Sequence, residues 1–303
     1  MPLAKIKENV DLFYIYEKRK NCEFPVIFTN GSVFNHRQWL SSYLPAFQKL
    51  TNDSYSYVLY DYQGIGQSSP RDKQFSLQSL AEELLGLLDH LNIDKAHLFG
   101  VSKGTMVNQV FTGLYPDRVK SVGGYGIVNL LAPAIEQERN LFLDRLKGLQ
   151  TLTDIISENI NSENFKRVIR TVYTPAIFLK QYSELNLKEK FIQWVLERKF
   201  YSLVEGTPIK TMELLFSYFA NEIDKEVDFY ASCIKSLGDI PILLLSGTED
   251  TTTPIERAID LKSRLQNVKF VKFEGFEHIT PNIKKKQGKA LMQEYTDFLS
   301  HLE

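Results

Sequence analysis

Apolar runs alternate with amphipathic stretches over the first 130 residues of the chain. Residues 11–17 alternate in polarity and are rich in aromatic side chains, which is typical of an antiparallel strand near a sheet edge. Four further apolar runs predict short strands, at 24–31, 55–61, 95–100 and 121–128. Leucines recur at helical spacing through residues 76–93, and a second helix is predicted over 105–119. This succession predicts an α/β fold with a mostly parallel sheet covered by helices on both faces.

The pattern changes between residues 131 and 232, which we call the cap segment. It contains no clear apolar strand, and its amphipathic stretches lie at 138–152, 165–173 and 190–205. Because an unstructured loop longer than about 15 residues is uncommon in a compact domain, we predict a helical insertion here. Strand and helix patterns then resume, at 240–247, 254–266, 267–276 and 285–302. The sequence therefore predicts one α/β core, residues 1–130 and 233–303, interrupted by a helical cap over 131–232.

Composition narrows the class of protein without pointing to a partner. The 303 residues carry 36 basic and 37 acidic side chains, a balance that gives no reason to expect nucleic acid or an anionic membrane as partner. Cys22 and Cys233 match no metal-binding or redox spacing, so both are predicted to be free thiols. The N-terminal residues lack the apolar stretch of a secretory signal, and the apolar run at 242–245 is too short to span a bilayer. We expect a cytoplasmic protein with no stable membrane anchor.

A candidate nucleophile lies between the predicted strand at 95–100 and the helix that follows it. Residues 100–104 read Gly-Val-Ser-Lys-Gly, a G-x-S-x-G pattern centred on Ser102. The glycines suit a strained turn in which neighbouring chain packs closely against the serine. A Gly-Ser turn that merely caps the helix is the alternative. A serine hydroxyl is a poor nucleophile until a base removes its proton, so a base must be present elsewhere in the chain.

Histidine is the expected base, and the chain contains five of them. His278 follows a predicted sheet strand, in the loop EGFEHITP, at the edge where open α/β sheets bind ligands. His90, His97 and His301 lie in or beside predicted helices and strands, where structural or solvated roles are expected. His36 lies in a loop that could border the pocket, but it precedes the serine in the chain. We therefore expect His278 to be the base.

The acid of such a site is expected between the serine and the histidine in the chain. Asp250 follows the apolar strand at 240–247, again at a C-terminal strand edge, whereas the adjacent Glu249 is expected to face elsewhere. The strand at 121–128 is followed by Asn129 and no carboxylate, which favours Asp250. Its expected role is to accept a hydrogen bond from the histidine and stabilise the imidazolium. A simple turn residue before Pro254 is the alternative for Asp250.

Two backbone amides are expected to stabilise a developing oxyanion. One should come from Lys103, the residue after the nucleophile. The other should come from the loop at 30–33, at the end of the strand predicted over 24–31, where we favour Ser32 and keep Val33 as the alternative. An ordinary Asn30-Gly31 turn is the competing interpretation of this loop.

Taken together, these motifs resemble the α/β-hydrolase family with a cap domain, over nearly the whole chain. The resemblance depends on five segments in the family's order, TNGSVFNHRQW, DYQGIGQSS, GVSKGT, GTEDTTTP and EGFEHITP. It implies a Ser102–His278–Asp250 triad and a structural role for Asp61 in organising the loop DYQGIGQSS.

Two positions depart from the family pattern. Asn30-Gly31 replaces the usual His-Gly, a feature shared with acyltransferase-like synthases that join 3-hydroxyacyl chains from acyl carrier protein. Lys103 replaces a residue that is more often neutral. Its side chain could meet an anionic group in the pocket, or it could be solvated and paired with a glutamate of the cap segment.

The expected function is that of a serine hydrolase that cleaves carboxylic ester or thioester bonds through an acyl-enzyme, with no metal or organic cofactor. The alternatives are an acyltransferase acting on acyl-ACP or acyl-CoA thioesters, with acyl carrier protein as a possible partner, and a ligand-binding protein without activity. Aromatic residues of the cap segment could line an acyl pocket or form ordinary core: Phe142, Tyr173, Phe178, Trp194, Phe200, Tyr201, Phe216, Tyr218 and Phe219. The substrate is expected to be a small molecule.

Overall fold

The computed structural model describes residues 2–131, 135–175, 181–235 and 237–302. A mixed β-sheet forms the centre of the fold. Its eight strands within these ranges are β1 (Leu3–Lys7), β2 (Val10–Glu17), β3 (Val26–Thr29), β4 (Tyr57–Tyr60), β5 (Ala96–Val101), β6 (Val119–Tyr125), β7 (Ile242–Gly247) and β8 (Val268–Phe273). Their order across the sheet is β1-β2-β4-β3-β5-β6-β7-β8. Strands β1, β2 and β4 pair in antiparallel fashion, and every later neighbour pairs in parallel. The predicted α/β class with a mostly parallel sheet is confirmed.

Helices follow most of the parallel strands and fill the long connection between β6 and β7. They are α1 (Arg37–Leu40), α2 (Tyr43–Leu50), α3 (Leu77–His90), α4 (Lys103–Leu114), α5 (Glu136–Gln150), α6 (Phe165–Val168), α7 (Leu187–Val204), α8 (Ile209–Asn221), α9 (Val227–Lys235), α10 (Ile255–Arg264), α11 (Thr280–Ile283) and α12 (Lys285–Ser300). The predicted cap boundary at residue 232 falls within α9, and the division of the chain into core and cap stays a prediction. A short π-helical turn continues α6 over Ile169–Tyr173.

Each face of the sheet buries its own apolar cluster because successive side chains of a strand point to opposite faces. On β3, Val26 and Phe28 join the cluster formed with α1, α2 and α12. Ile27, between them, joins the cluster formed with α3, α4 and the cap segment. On β5, Phe99 joins the first of these clusters and Leu98 joins the second. Helices therefore cover both faces, and the C-terminal ends of the parallel strands are left for a site.

Local chemistry explains where the elements depart from the sequence pattern. The helix predicted over 105–119 ends at Leu114, because Pro116 cannot continue it and starts a 3-10 turn instead. The strand predicted over 121–128 ends at Tyr125, before Gly126 at a φ of 70°. Strand β1 was not predicted. It is a short edge strand in which only Ala4 is buried, so its apolar signal is weak.

No helix among the described residues is both long enough and apolar enough to cross a membrane. Phe178, one of the aromatic residues predicted for the acyl pocket, lies outside the described residues.

Candidate active site

The candidate nucleophile Ser102 lies between β5 and α4, in a sharp turn at the C-terminal edge of the sheet. Its backbone has φ 54° and ψ −117°, a combination that is uncommon for any residue other than glycine. The two flanking glycines make this turn possible. A Cβ atom at Gly100 would lie 2.6 Å from the backbone carbon of Gly104, and one at Gly104 would collide with the carbonyl oxygen of Thr29. The predicted strained turn, and not a simple capping turn, is what the structure contains.

The structure brings the three predicted side chains together in one hydrogen-bonded chain. Asp250 follows β7 and His278 lies beyond β8, at the same edge of the parallel sheet as Ser102. His278 Nε2 lies 3.0 Å from Ser102 Oγ, and His278 Nδ1 lies 2.8 Å from Asp250 Oδ2. In this geometry Nδ1–H donates to the carboxylate, which leaves Nε2 free to accept the serine proton. The adjacent Glu249 makes no such contact and is exposed.

Asp250 is held in its charged form by its surroundings. Burial alone would raise the pKa of the Asp250 carboxyl, but the His278 ring and hydrogen bonds from Thr253 outweigh burial and lower this pKa below its usual range. The Thr253 amide donates to Asp250 Oδ1 over 2.8 Å, and its hydroxyl donates to Oδ2 over 2.7 Å. A carboxylate ligated in this way can stabilise an imidazolium without itself taking up the proton.

Two positioning residues near His278 were not predicted from the sequence. Thr253 Oγ1 lies 3.2 Å from His278 Nδ1, so one hydroxyl bridges the carboxylate and the imidazole. The Tyr125 hydroxyl, at the end of β6, donates over 2.9 Å to the carbonyl oxygen of Glu277 and so fixes the histidine loop. The threonine run after Asp250 is the only sequence signal for the first contact, and nothing in the local pattern reveals the second.

The loop after β3 is braced to face the nucleophile. Asn30 donates from its side-chain amide to the carbonyl oxygen of Tyr60 over 2.7 Å and accepts from Trp39 Nε1 over 2.6 Å. Gln38 Oε1, which the sequence analysis did not single out, accepts from the Gly31 amide over 2.9 Å. The asparagine therefore replaces the histidine that is usual in this motif as a bracing residue.

Ser32 is the better placed of the two residues considered for the second oxyanion donor. It has a φ of 25° and lines the cavity in front of Ser102, whereas Val33 is fully buried and is not among the described lining residues. The Lys103 amide, the other predicted donor, belongs to the first residue of α4, where a backbone N–H has no intrahelical acceptor.

The Lys103 side chain is buried, and Lys103 is among the residues that line the cavity. It is 2% exposed, so the expectation of a solvated lysine paired with a glutamate is wrong. Its ammonium nitrogen lies 3.7 Å from the centroid of the Tyr62 ring and donates no hydrogen bond to a described residue. Burial lowers the pKa of Lys103 well below its ordinary value, and nearby Arg71 adds to this effect.

A cavity of about 480 Å³ opens in front of Ser102, between the sheet edge and the cap segment. Its wall is mostly apolar, a composition typical of small-molecule sites. Four of the predicted aromatic residues line it: Phe142, Tyr173, Phe200 and Phe219. Phe216 and Tyr218 are buried but are not among the described lining residues, and Trp194 is 48% exposed. Some of the predicted aromatic residues therefore line the cavity, and others are buried elsewhere or exposed.

Comparison with known proteins identifies the family to which this fold belongs. The family model for the alpha/beta hydrolase fold matches residues 25–281, which is most of the chain. The chain belongs to the α/β-hydrolase fold family. The C-terminal strand ends and the turn at Ser102 are therefore those of an α/β-hydrolase fold.

Individual relatives of this α/β-hydrolase fold protein are distant or match only a segment. A 90-residue segment is 36% identical to 3-oxoadipate enol-lactonase 1 of Acinetobacter baylyi, covering 30% of this chain and 31% of that protein. Rhodomycin D methylesterase of Streptomyces peucetius is 20% identical over 85% of each chain. A carboxylesterase structure from the thaumarchaeon Nitrososphaera gargensis matches with a TM-score of 0.75 and 14% identity, over 99% of this chain and 98% of that one.

The other polar groups near the site have structural roles in this α/β-hydrolase fold. Asp61 Oδ1 accepts from the His36 amide over 2.6 Å and Oδ2 accepts from the Gln67 amide over 3.0 Å, so it ties two loops together. The His36 ring also lies 3.0 Å from Asp61 Oδ1, which removes His36 as a competing base. His97 is buried against Ser121 Oγ at 2.8 Å. Asn129 donates over 2.5 Å to Asp260, away from the imidazole.

Proposed function

We propose that this protein is a serine hydrolase that cleaves carboxylic ester or thioester bonds through an acyl-enzyme on Ser102. The observation that carries the proposal is the continuous chain from Ser102 Oγ through His278 to Asp250, with separations of 3.0 Å and 2.8 Å. That chain ends at the wall of an apolar cavity large enough for a small substrate. The named activities of the relatives, an enol-lactonase, a methylesterase and a carboxylesterase, are compatible with ester chemistry at this site.

Acylation begins when His278 Nε2 removes the proton from Ser102 Oγ, which attacks the carbonyl carbon of the substrate. The carbonyl electron pair moves onto oxygen, and the amides of Ser32 and Lys103 donate hydrogen bonds to that oxyanion. When the tetrahedral intermediate collapses, its carbon–oxygen or carbon–sulfur bond to the leaving group breaks, and the leaving group takes the proton from the His278 imidazolium. Asp250 stabilises the imidazolium while it is charged.

Deacylation repeats these steps with water. His278 Nε2 takes a proton from a water molecule, the hydroxide attacks the acyl carbon, and the oxyanion returns to the same two amides. The bond to Ser102 Oγ then breaks and the serine recovers its proton from His278. The carboxylic acid product leaves and the site returns to its starting state.

The experiment is hydrolysis of a panel of p-nitrophenyl esters and acyl-CoA thioesters by the wild-type protein and by Ser102→Ala. We expect kcat/KM of the wild-type protein to depend on acyl length and Ser102→Ala to lose about 10⁴-fold or more, because the nucleophile is removed. Circular dichroism and a thermal unfolding curve check that the variant is folded. Near-normal turnover by folded Ser102→Ala would contradict the proposal.

Product analysis separates hydrolysis from the two other activities considered. Release of free acid with water alone as acceptor supports a hydrolase. Acyl transfer that requires an added alcohol, or acyl carrier protein as donor, would instead identify an acyltransferase. A wild-type protein that turns over no member of the panel and reacts with no serine-directed probe would be a ligand-binding protein.

A further inference from the structure

A cationic side chain of the cap segment lines the cavity without a counter-ion among the described residues. Helix α5 presents Glu138, Phe142 and Arg145 to the cavity, at positions four and three residues apart that share one face of the helix. Glu138 is already paired, since its Oε1 lies 3.1 Å from Nε of Arg257. No described residue pairs with the Arg145 guanidinium. Its Nε is buried without a hydrogen-bond acceptor.

Three aromatic rings lie around this guanidinium. Its central carbon lies 5.3 Å from the ring centroid of Tyr173 and 5.8 Å from those of Phe142 and Phe216. Rings at these distances attract a cation, but they donate no lone pairs to the N–H groups. Leaving charged donors unsatisfied in a desolvated wall is costly, and an anion that enters the cavity would remove that cost.

Two further polar groups lie beside Arg145 on the cavity wall. The hydroxyls of Tyr173 and Ser32 are both buried and, apart from each other, have no hydrogen-bond partner among the described residues; both residues line the same cavity. The Tyr173 hydroxyl lies next to the Ser32 side chain. Burial raises the pKa of Tyr173 to about 12, against the opposing effect of Arg145, so its hydroxyl remains a donor at neutral pH.

We propose that Arg145, with Tyr173, forms a subsite for a carboxylate carried by the substrate in addition to its scissile ester or thioester. A planar guanidinium matches a carboxylate through two parallel hydrogen bonds, and the Tyr173 hydroxyl supplies a third donor. A single negative charge fits best, because Arg145 contributes one positive charge, Glu138 is compensated by Arg257, and the two other described carboxylates that line the cavity, Glu249 and Glu277, are exposed. The substrate class is therefore a half-ester or half-thioester of a dicarboxylic acid. This inference specifies the substrate of the proposed hydrolase.

The position of the subsite limits the length of the substrate. Tyr173 lies between Arg145 and Ser32, and Ser32 belongs to the loop that faces the nucleophile. One tyrosine side chain therefore separates the proposed carboxylate position from the oxyanion loop. The acyl chain between carboxylate and scissile carbonyl must be short, and the remaining apolar wall contacts its methylene groups.

The catalytic test compares the p-nitrophenyl monoester of adipic acid with p-nitrophenyl hexanoate, which has the same chain length and no charge. We expect the wild-type protein to favour the anionic ester, and Arg145→Met to lower the ratio of the two kcat/KM values on the order of 10- to 100-fold, the effect of losing hydrogen bonds between charged groups. Arg145→Lys keeps the charge without the planar fork and should lose part of this preference. The matched control is Arg198→Met on α7, because Arg198 also packs on a ring, 4.9 Å from Trp194, but is exposed. It should keep the wild-type ratio.

Binding is tested without catalysis in the Ser102→Ala background. Monoethyl adipate should raise Tm more than diethyl adipate, and adding Arg145→Met should abolish that difference while adding Arg198→Met should keep it. Equal Tm shifts for the two ligands, or a difference that survives Arg145→Met, would overturn the subsite.

The two arms distinguish the subsite from the proposed hydrolase function. Hydrolysis of both esters in the same ratio by the wild-type protein and Arg145→Met would overturn the subsite and leave the hydrolase intact. If neither ester is hydrolysed but the Tm difference behaves as expected, the subsite is supported and the hydrolase proposal fails.

Discussion

Polar groups at the sheet edge and in the cap segment differ in how fully their hydrogen bonds are satisfied within the protein. At the sheet edge, the Asp250 carboxylate receives hydrogen bonds from two backbone amides, a threonine hydroxyl and the His278 ring. Across the cavity, the buried Nε of Arg145 has no acceptor among the described residues, and the buried Tyr173 hydroxyl has no partner there other than Ser32. Groups that must be positioned for any substrate are satisfied by the protein itself, whereas groups that select a substrate can be left for the ligand to satisfy. Lys103 is an exception on the sheet side, because its amine is also buried without a partner.

The largest effect should come from breaking the sheet-edge network. Asp250→Asn should lower kcat/KM about 10³- to 10⁴-fold, because an amide can neither hold the required histidine tautomer nor stabilise the imidazolium. Unlike Arg145→Met, it should lower turnover of the charged and neutral esters by the same factor. Steady-state kinetics on both esters measures this, and the neighbouring Glu249→Gln, which changes a carboxylate outside the hydrogen-bonded chain, should have a far smaller effect. If Asp250→Asn lowered kcat/KM for the anionic ester alone, the proposed difference in role between the sheet edge and the cap segment would be contradicted.

A second prediction concerns stability at acidic pH, which we expect a buried histidine of the sheet to lower. Burial lowers the pKa of His97 on β5 from 6.5 to about 4, and nearby Lys120 adds to the shift. Because the folded-state pKa is depressed, the unfolded chain binds the proton first, and the free energy of unfolding falls as pH drops through that interval. Acidification from pH 7 to pH 4 should cost about 3 kcal/mol through this residue.

Urea unfolding at several pH values measures the effect of His97. In His97→Gln the decrease in unfolding free energy between pH 7 and pH 4 should be smaller than in the wild-type protein by about that amount. The exposed His90 on α3 provides the control, and His90→Gln should keep the wild-type pH dependence. An unchanged pH dependence in His97→Gln would show that acid acts elsewhere, for example through the cap segment.

The smallest effect is expected at Lys103. Replacing its buried, unpartnered amine by methionine should leave the free energy of unfolding unchanged or raise it by up to about 2 kcal/mol, since an apolar side chain of similar length has no desolvation cost. The backbone amide remains, so kcat should stay within a few-fold of the wild-type value. Thermal unfolding and ester kinetics test both expectations. A large loss of stability would mean that contact of the Lys103 amine with the Tyr62 ring is a significant source of stability.

Residues that depend on local backbone chemistry could be predicted from the sequence. Gly100 and Gly104 are required by the close approach of neighbouring chain, so the pattern around Ser102 predicts its turn. Parallel strands end at one edge, and so the positions of Asp250 and His278 after their strands predict that they meet there.

The remaining features depend on contacts between distant segments. Thr253, Gln38 and Tyr125 position the site through single hydrogen bonds that leave no periodic trace in the sequence. The helical spacing on α5 places Phe142 and Arg145 on one face, but it cannot tell whether that face meets solvent, core or a cavity. The expectation of a solvated Lys103 was wrong for the same reason, since Tyr62, whose ring its amine contacts, comes from another loop.

The most direct test of the central claim is peptide mapping by mass spectrometry after reaction with a fluorophosphonate, which phosphonylates an activated serine. We predict one adduct on Ser102 of the wild-type protein, no adduct in Ser102→Ala, and labelling that is slowed by orders of magnitude in folded His278→Ala. An unlabelled Ser102 in folded wild-type protein, or labelling at the wild-type rate in His278→Ala, would contradict the account.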